Sequence, residues 1–239
     1  MSYILAINPG STSTKISIFE EKKEIFTKTL RHSSEELAPY ATVIDQYQFR
    51  KDTISAALKE NNINQDEIVA IVGRGGLLRP IASGVYEVNE EMISDLSSGK
   101  YGEHASNLGG IIANAMAKEI EGCRAFIADP VVVDELCDEA RISGHPLFPR
   151  KSIFHALNQK AIAKQYAAEV GKNYNELNLI VVHMGGGTSI GAHSNGKVID
   201  VNDALNGDGP FSPERSGSLT ALDVAKVCFS GKYSYDDVK

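Results

Sequence analysis

Apolar residues along this chain fall into short blocks that alternate between the period of a strand and the period of a helix. The first block, Tyr3-Ile4-Leu5-Ala6-Ile7, is continuous and predicts a buried strand. A turn of small, mostly polar residues follows, Asn8-Pro9-Gly10-Ser11-Thr12-Ser13-Thr14, then Lys15 and a returning strand, Ile16-Ser17-Ile18-Phe19. The same order recurs late in the chain, where the apolar run at 179–182 leads through His183 and Met184 to Gly185-Gly186-Gly187 and back along 188–192. A third strand-like run follows each hairpin, at 24–30 and at 197–201. The repetition predicts an internal duplication, with two related lobes facing one cleft.

Between the hairpins, Ser33-Ser34-Glu35-Glu36 reads as a helix start, with hydroxyl caps and early acids. Residues 41–61 carry Val43, Ile44, Tyr47, Ile54, Ala57 and Leu58 at helical spacing. A buried strand is predicted over 68–73, running into the loop Arg74-Gly75-Gly76-Leu77-Leu78-Arg79-Pro80. A short strand over 85–89, a helix over 90–96 closed by Ser97-Ser98-Gly99, and a longer helix over 105–120 ended by Gly122 come next. The strand predicted at 124–128 stops at Asp129-Pro130, the acid-rich segment 134–141 reads as helical, and 142–150 as an irregular crossing. Ser152 is placed to cap a helix over 154–170 closed by Gly171, and Ser218 one over 219–229, with a long loop over 202–216 between them. Ser234 and the acids after it read as an N-cap and first turn, and a helix that only begins suggests a fragment. The fold class expected is α/β, two related lobes at 1–150 and 151–239, the second incomplete.

Composition narrows the function classes. The 239 residues are 42% hydrophobic and 23% charged, enough apolar matter for a real core. A net charge of −7 argues against a nucleic-acid partner, which would need a basic face. The chain has no Trp, no apolar run of bilayer-spanning length and no signal-peptide pattern at its start, so no membrane partner is expected. Cys123, Cys137 and Cys228 are odd in number and lack paired spacing, as fits three small core residues in a reducing cytoplasm.

The residues that can carry chemistry cluster at the tips and loops. Each hairpin tip offers backbone N–H groups and small hydroxyls at one concave point, with Lys15 beside the first, an arrangement that suits a phosphate or an ordinary polar turn. Arg74 and Arg215 sit in Gly-rich loops, shaped to grip a phosphoryl group or to pair with a surface carboxylate. Asp129 ends a strand before a proline, either a metal- or phosphate-side carboxylate or a loop cap. His183 inside the second tip and His155 at a helix start can donate to phosphate oxygens, and His104 precedes a helix N-terminus. His32, His145 and His193 read as structural or surface residues. The segment Gly191 to Val198 nearly fits a P-loop, but Val198 replaces the required hydroxyl and Asn195-Gly196 reads as a hairpin turn.

Taken together, INPGSTSTK (7–15), VGRGGLLRP (72–80), YGEHASNLGG (101–110), FIADP (126–130), IFHALNQKA (153–161), VHMGGGTSIG (182–191) and GPFSPERSGSLT (209–220) resemble the acetate and butyrate kinase family. That family lies within the superfamily of sugar kinases, heat-shock 70 ATPases and actin, and in the loop after Arg74, around His104 and after His183 the chain follows the butyrate and branched-chain type. The resemblance implies ribonuclease H-like lobes with mixed, five-stranded-type sheets, and phosphoryl transfer between ATP and a short-chain fatty acid to give an acyl phosphate and ADP. It implies that Arg74, His155 and Arg215 grip the moving group, while Asp129 with Asn8 serves Mg2+ and the reacting phosphate. Ser11, Ser13 and Lys15 would face nucleotide phosphates from the first tip, and His183 with Gly185, Gly186 and Gly187 from the second. His104 would lie near the acid, and Gly75 and Gly76 would leave room for a longer acyl chain, which Gly76→Val would fill. The family is also longer than this chain, with the adenine pocket and a homodimer or higher oligomer surface expected in the remainder. A different phosphotransferase or ATPase of the superfamily, or an inactive binding fragment, are the alternatives.

Overall fold

Residues 2–238 are described by the structure, a computed structural model. They divide into two compact units, Met1–Asp134 and Glu135–Lys239.

In the first unit the alternation of the opening stretch builds three consecutive strands, β1 (Tyr3–Pro9), β2 (Ser13–Glu20) and β3 (Lys23–Arg31), paired antiparallel. A short helix α1 (Ser34–Leu37) follows, closed at its start by a reciprocal capping box between Ser33 and Glu36. The helix expected over 41–61 divides into a 3-10 turn at Ile44–Gln46 and α2 (Tyr47–Glu60). Then come β4 (Ile68–Arg74), β5 (Val85–Glu87), α3 (Glu90–Ser98), α4 (Asn107–Ala117) and β6 (Arg124–Ala128). Asn89 caps α3 by accepting from the Met92 N–H, and Gly99, at φ +65°, closes it.

The strands form one mixed sheet in the order β3-β2-β1-β4-β6-β5, a five-stranded pattern with β5 added antiparallel at the edge of β6. β1, β4 and β6 run parallel side by side, which is why their interiors read as near-continuous apolar runs. Leu5, Ile7, Ile16, Ile18, Ile71 and Ile127 are buried, and α4 packs against β4 and β6 with Leu108 and Ile112. That packing is unusually close at one point: a Cβ on Gly73 would stand 2.1 Å from the Gly109 carbonyl oxygen, so both positions exclude any side chain.

The second unit opens with a difference from expectation. Residues 134–141 form only a 3-10 turn, Glu139–Arg141, because tertiary partners take the groups a helix would use. The Cys137 N–H donates to the Ile199 carbonyl at 3.0 Å, and the Glu135 carboxylate binds Lys160 Nζ at 2.8 Å and the Val198 N–H at 3.0 Å. The helix α5 (Ala156–Glu169) begins after His155, not after Ser152, which is itself buried. β7 (Leu179–Met184), β8 (Thr188–Ser194) and β9 (Lys197–Val201) form an antiparallel three-stranded sheet, repeating the meander of the first unit. Asn195 and Gly196 both take positive φ between β8 and β9, so this segment is the hairpin turn expected.

α6 (Ala221–Cys228) has Thr220, not Ser218, at its N-cap. The Ser218 hydroxyl is committed elsewhere, donating to Asp208 and accepting from the Gly209 N–H. Ser234 does start a turn of helix, α7 (Tyr235–Val238), by accepting from the Asp237 N–H. Lys239 lies outside the described residues. The cysteines are free but not core residues: Cys123 and Cys137 are half-buried and Cys228 is exposed, the last because α6 buries none of its residues. No described helix is long and apolar enough to cross a membrane.

Candidate functional site

The first cluster stands at the carboxyl ends of three neighbouring parallel strands, the usual place for ligands in an open α/β sheet. Asn8 ends β1, Arg74 ends β4, and Asp129 follows β6; the register pairs Ile7 with Gly73 and Arg74 with Ala128. Asn8 is exposed and lies opposite Lys15 across the hairpin, and its Oδ1 accepts from Arg74 Nη1 at 3.4 Å. Arg74 is half-buried, and burial pushes its guanidinium pKa down. Among the described residues no carboxylate lies within ion-pairing distance of it.

Asp129 is buried at φ +35°, a backbone region that costs a non-glycine residue about 1–3 kcal/mol. The surroundings hold it there: its N–H donates to Gly84 O, and its Oδ1 accepts from Ser83 Oγ at 2.6 Å and Gly84 N at 2.9 Å. Those bonds occupy one carboxylate oxygen and leave Oδ2 accepting no hydrogen bond among the described residues.

The tip between β1 and β2 is held by a residue that sequence reasoning passed over. Arg50, on α2 and almost fully buried, donates to the carbonyls of Gly10 (2.7 Å), Ser11 (2.9 Å) and Ser13 (3.1 Å) and to Thr14 Oγ1 (3.2 Å). Its other partner is Gln46, so every acceptor is neutral, and burial lowers its pKa. With the tip carbonyls taken by Arg50, the N–H groups of Ser11 and Thr12 meet no acceptor among the described residues. Ser11, Ser13 and Lys15 therefore share the tip with unspent donors, a nest shaped for an anion. His32 packs beneath, hydrogen-bonded to Thr14 Oγ1, its pKa lowered by burial and then by Arg50.

Gly75 and Gly76 approach backbone closely instead of opening space on their Cβ side. A Cβ at Gly75 would lie 2.5 Å from Pro130 Cβ, and one at Gly76 2.4 Å from Asn107 Oδ1. Asn107, also passed over although it lies within the quoted YGEHASNLGG stretch, is fully buried. It accepts from the Leu77 N–H at 2.8 Å and donates to Gly102 O at 3.0 Å, tying the Arg74 loop to the loop that carries His104. His104 Nδ1 accepts from the Ser106 N–H at 3.2 Å in the turn before α4.

The second cluster repeats the tip. Gly186 O is taken by Ser212 Oγ (2.6 Å) and the Glu214 N–H (3.1 Å), while the N–H groups of Gly186 and Gly187 meet no acceptor among the described residues. His155 lies beside Gly187 and stacks flat on His183, ring centroids 3.7 Å apart. His183 Nδ1 is bonded to Asn158 Nδ2 at 2.8 Å. Arg215 donates through Nε to Leu205 O at 3.0 Å and lies 3.6 Å from the Glu214 carboxylate, whose oxygens crowd Gly186. His193, read from sequence as a structural or surface residue, is buried on β8.

Among the described residues no three His, Cys, Asp or Glu side chains gather as metal ligands. Asn8 and Asp129 nevertheless offer hard oxygen donors of the kind Mg2+ takes while keeping water and phosphate oxygens for the rest of its shell.

The profile of the Acetokinase family matches residues 146–229. Butyrate kinase 1 of Clostridium acetobutylicum is 63% identical over 238 residues, spanning all of this chain and 67% of its own. Butyrate kinase 2 of the same organism is 62% identical over 235 residues, 98% of this chain and 66% of its own. The crystal structure of Porphyromonas gingivalis acetate kinase shares the fold with a TM-score of 0.76 at 19% identity, over all of this chain and 66% of its own. The chain thus spans about two thirds of the length of these relatives.

Proposed function

Because this chain belongs to the acetokinase family, we propose that it serves as a short-chain fatty acid kinase, moving a phosphoryl group between ATP and butyrate or a branched-chain acid to give an acyl phosphate and ADP. The observation that carries the reading is Arg74. A half-buried guanidinium with no carboxylate partner among the described residues, next to donor-rich backbone, is a site kept ready for an anion.

The chemistry needs little else from the protein. A carboxylate acceptor is ionised at neutral pH, so no general base is required. The barrier is repulsion between two anions and the charge on the transferring group, met by positioning and by preorganised donors. We assign Arg74 of the first unit, and His155 and Arg215 of the second, as those donors, Asp129 to orient the reacting phosphate, and His104 to the acid. Ser11, Ser13, Lys15 and the first tip bind nucleotide phosphates, as do His183 and Gly185, Gly186 and Gly187 at the second. Asn8 and Asp129 Oδ2 would hold Mg2+, which would supply positive charge to offset that of the phosphate when bound. The compartment we assign is the cytoplasm, and the assembly a homodimer or higher oligomer.

A hydroxylamine trap for acyl phosphate, run with magnesium-ATP and straight or branched acids of two to six carbons, tests the reading. Product is expected to peak at four or five carbons. An absence of acyl hydroxamate with every acid, in a chain extended to the length of its relatives, overturns it.

A further inference from the structure

Beneath the second tip, a buried chain of hydrogen bonds runs from Tyr174 to His155. Tyr174 Oη is 2.7 Å from His193 Nδ1, His193 Nε2 is 2.9 Å from Gln159 Oε1, Gln159 Nε2 is 2.8 Å from Ser189 Oγ, and Ser189 Oγ is 2.9 Å from His155 Nδ1. Gln159, Ser189 and His193 are each at most 2% exposed.

The direction of every bond follows from its neighbours. Gln159 Nε2 also donates to the backbone carbonyl of Ser189 at 3.1 Å, and a carbonyl only accepts, so the amide can face one way. Its Oε1 then requires a proton on His193 Nε2, leaving His193 Nδ1 to accept from the Tyr174 hydroxyl. That neutral state agrees with a His193 pKa pushed down to about 4 by burial and by the nearby Lys160. Gly191 makes the arrangement possible, since a Cβ there would stand 2.3 Å from Gln159 Oε1.

Ser189 is the step that matters. Its oxygen accepts from Gln159 Nε2 at 2.8 Å and, as a long contact at 3.5 Å, from the His155 backbone N–H. Among the described residues the hydroxyl proton has one acceptor within reach, His155 Nδ1.

We infer that Tyr174, His193, Gln159 and Ser189 are positioning residues that fix His155 as its Nε2–H tautomer, so that the ring edge beside Gly187 presents a donor. His183 stacks flat on the same ring, centroids 3.7 Å apart, and holds its plane. A donor at Nε2 can bond an anionic oxygen without first taking up a proton. The use of that donor in phosphoryl transfer rests on the function proposed above, whereas the tautomer does not.

The test is nitrogen NMR of the histidine-labelled chain without substrate, with His155 assigned by loss of its signals in His155→Gln. His155 is expected to show a protonated Nε2 and a bare Nδ1. In Ser189→Ala the proton should spread over both nitrogens, with kcat falling about tenfold and KM for ATP unmoved. Gly191→Ala, which displaces Gln159, should shift the same signals. A wild-type His155 protonated at Nδ1 overturns the inference, whether or not any variant folds. So do imidazole signals unmoved by Ser189→Ala. Acyl phosphate formed by a chain whose His155 is Nδ1–H would sink the inference alone; the expected tautomer in a chain making no acyl phosphate would sink the function alone.

Discussion

Arg50 Nη1 donates to the carbonyl oxygen of Gly10 at 2.7 Å, across forty positions of sequence, and the same guanidinium reaches the carbonyls of Ser11 and Ser13. The charge is buried against neutral oxygens, so its worth lies in the number and spread of its donors, not in an ion pair. Arg50→Lys keeps the charge but loses the fork. It should cost about 2–3 kcal/mol of stability, at roughly 1 kcal/mol per lost hydrogen bond, and weaken ATP binding as the tip loosens. Urea unfolding and nucleotide titration would check both, and a Lys variant of full stability would deny Arg50 its clamping role.

Acid should destabilise the second unit through His193. Its folded pKa of about 4 lies below the ordinary value of about 6.5, so between them the unfolded chain binds a proton that the folded chain refuses. Stability therefore falls as pH drops through that window, by on the order of 3 kcal/mol in full, and this contribution is constant below it. His32, also lowered by burial and by Arg50, acts in the same direction. Carboxylates titrate nearby, so the measurement is a difference: His193→Gln should show a shallower loss than the parent between pH 7 and pH 4 in urea denaturation. Parallel curves would mean that His193 titrates normally.

The hairpins were legible because strand alternation and Gly- or Ser-rich tips are local signals, and so were the places of Arg74 and Asp129 at strand ends and of His155 at a helix start. What escaped is non-local. Arg50 reads as one more polar residue on a helix, and only the fold brings it under Gly10. Ser152 and Ser218 look like caps in sequence but spend themselves elsewhere, and the acids of 134–141 suggest a helix that Ile199 and Lys160 pre-empt. The glycines misled in a different way. Their sequence says only that a side chain is missing, not what stands in its place.

That distinction gives a prediction at Gly76. From sequence, Gly76→Val would narrow an acid pocket and shift preference toward acetate. In the structure the new Cβ meets Asn107 at 2.4–2.6 Å, on its backbone as well as its side chain. Overpacking against backbone costs about 1–3 kcal/mol or more, and here it also breaks the Asn107 bond to Leu77. The expected result is a chain that unfolds at markedly lower temperature with no selective gain for acetate. A Val variant of parental melting temperature that prefers shorter acids would restore the pocket reading.

Arg74 allows the sharpest separation of function from fold. A residue kept for structure stabilises; one kept for a ligand is held at some cost to the empty protein. Burial lowers the Arg74 pKa, its hydrogen bond to Asn8 is long at 3.4 Å, and no carboxylate compensates it among the described residues. Replacing such a group with an apolar residue of similar length removes a desolvation penalty and leaves no buried partner charge behind. Arg74→Met should therefore raise stability by about 0.5–1 kcal/mol while acyl phosphate formation falls at least a hundredfold. Arg74→Lys, which keeps charge without the planar fork, should recover only a small part of that activity. Thermal unfolding beside the hydroxylamine trap gives both readings on one preparation. A Met variant that is less stable yet still active would make Arg74 a structural residue and remove the main support for an anion site at the end of β4.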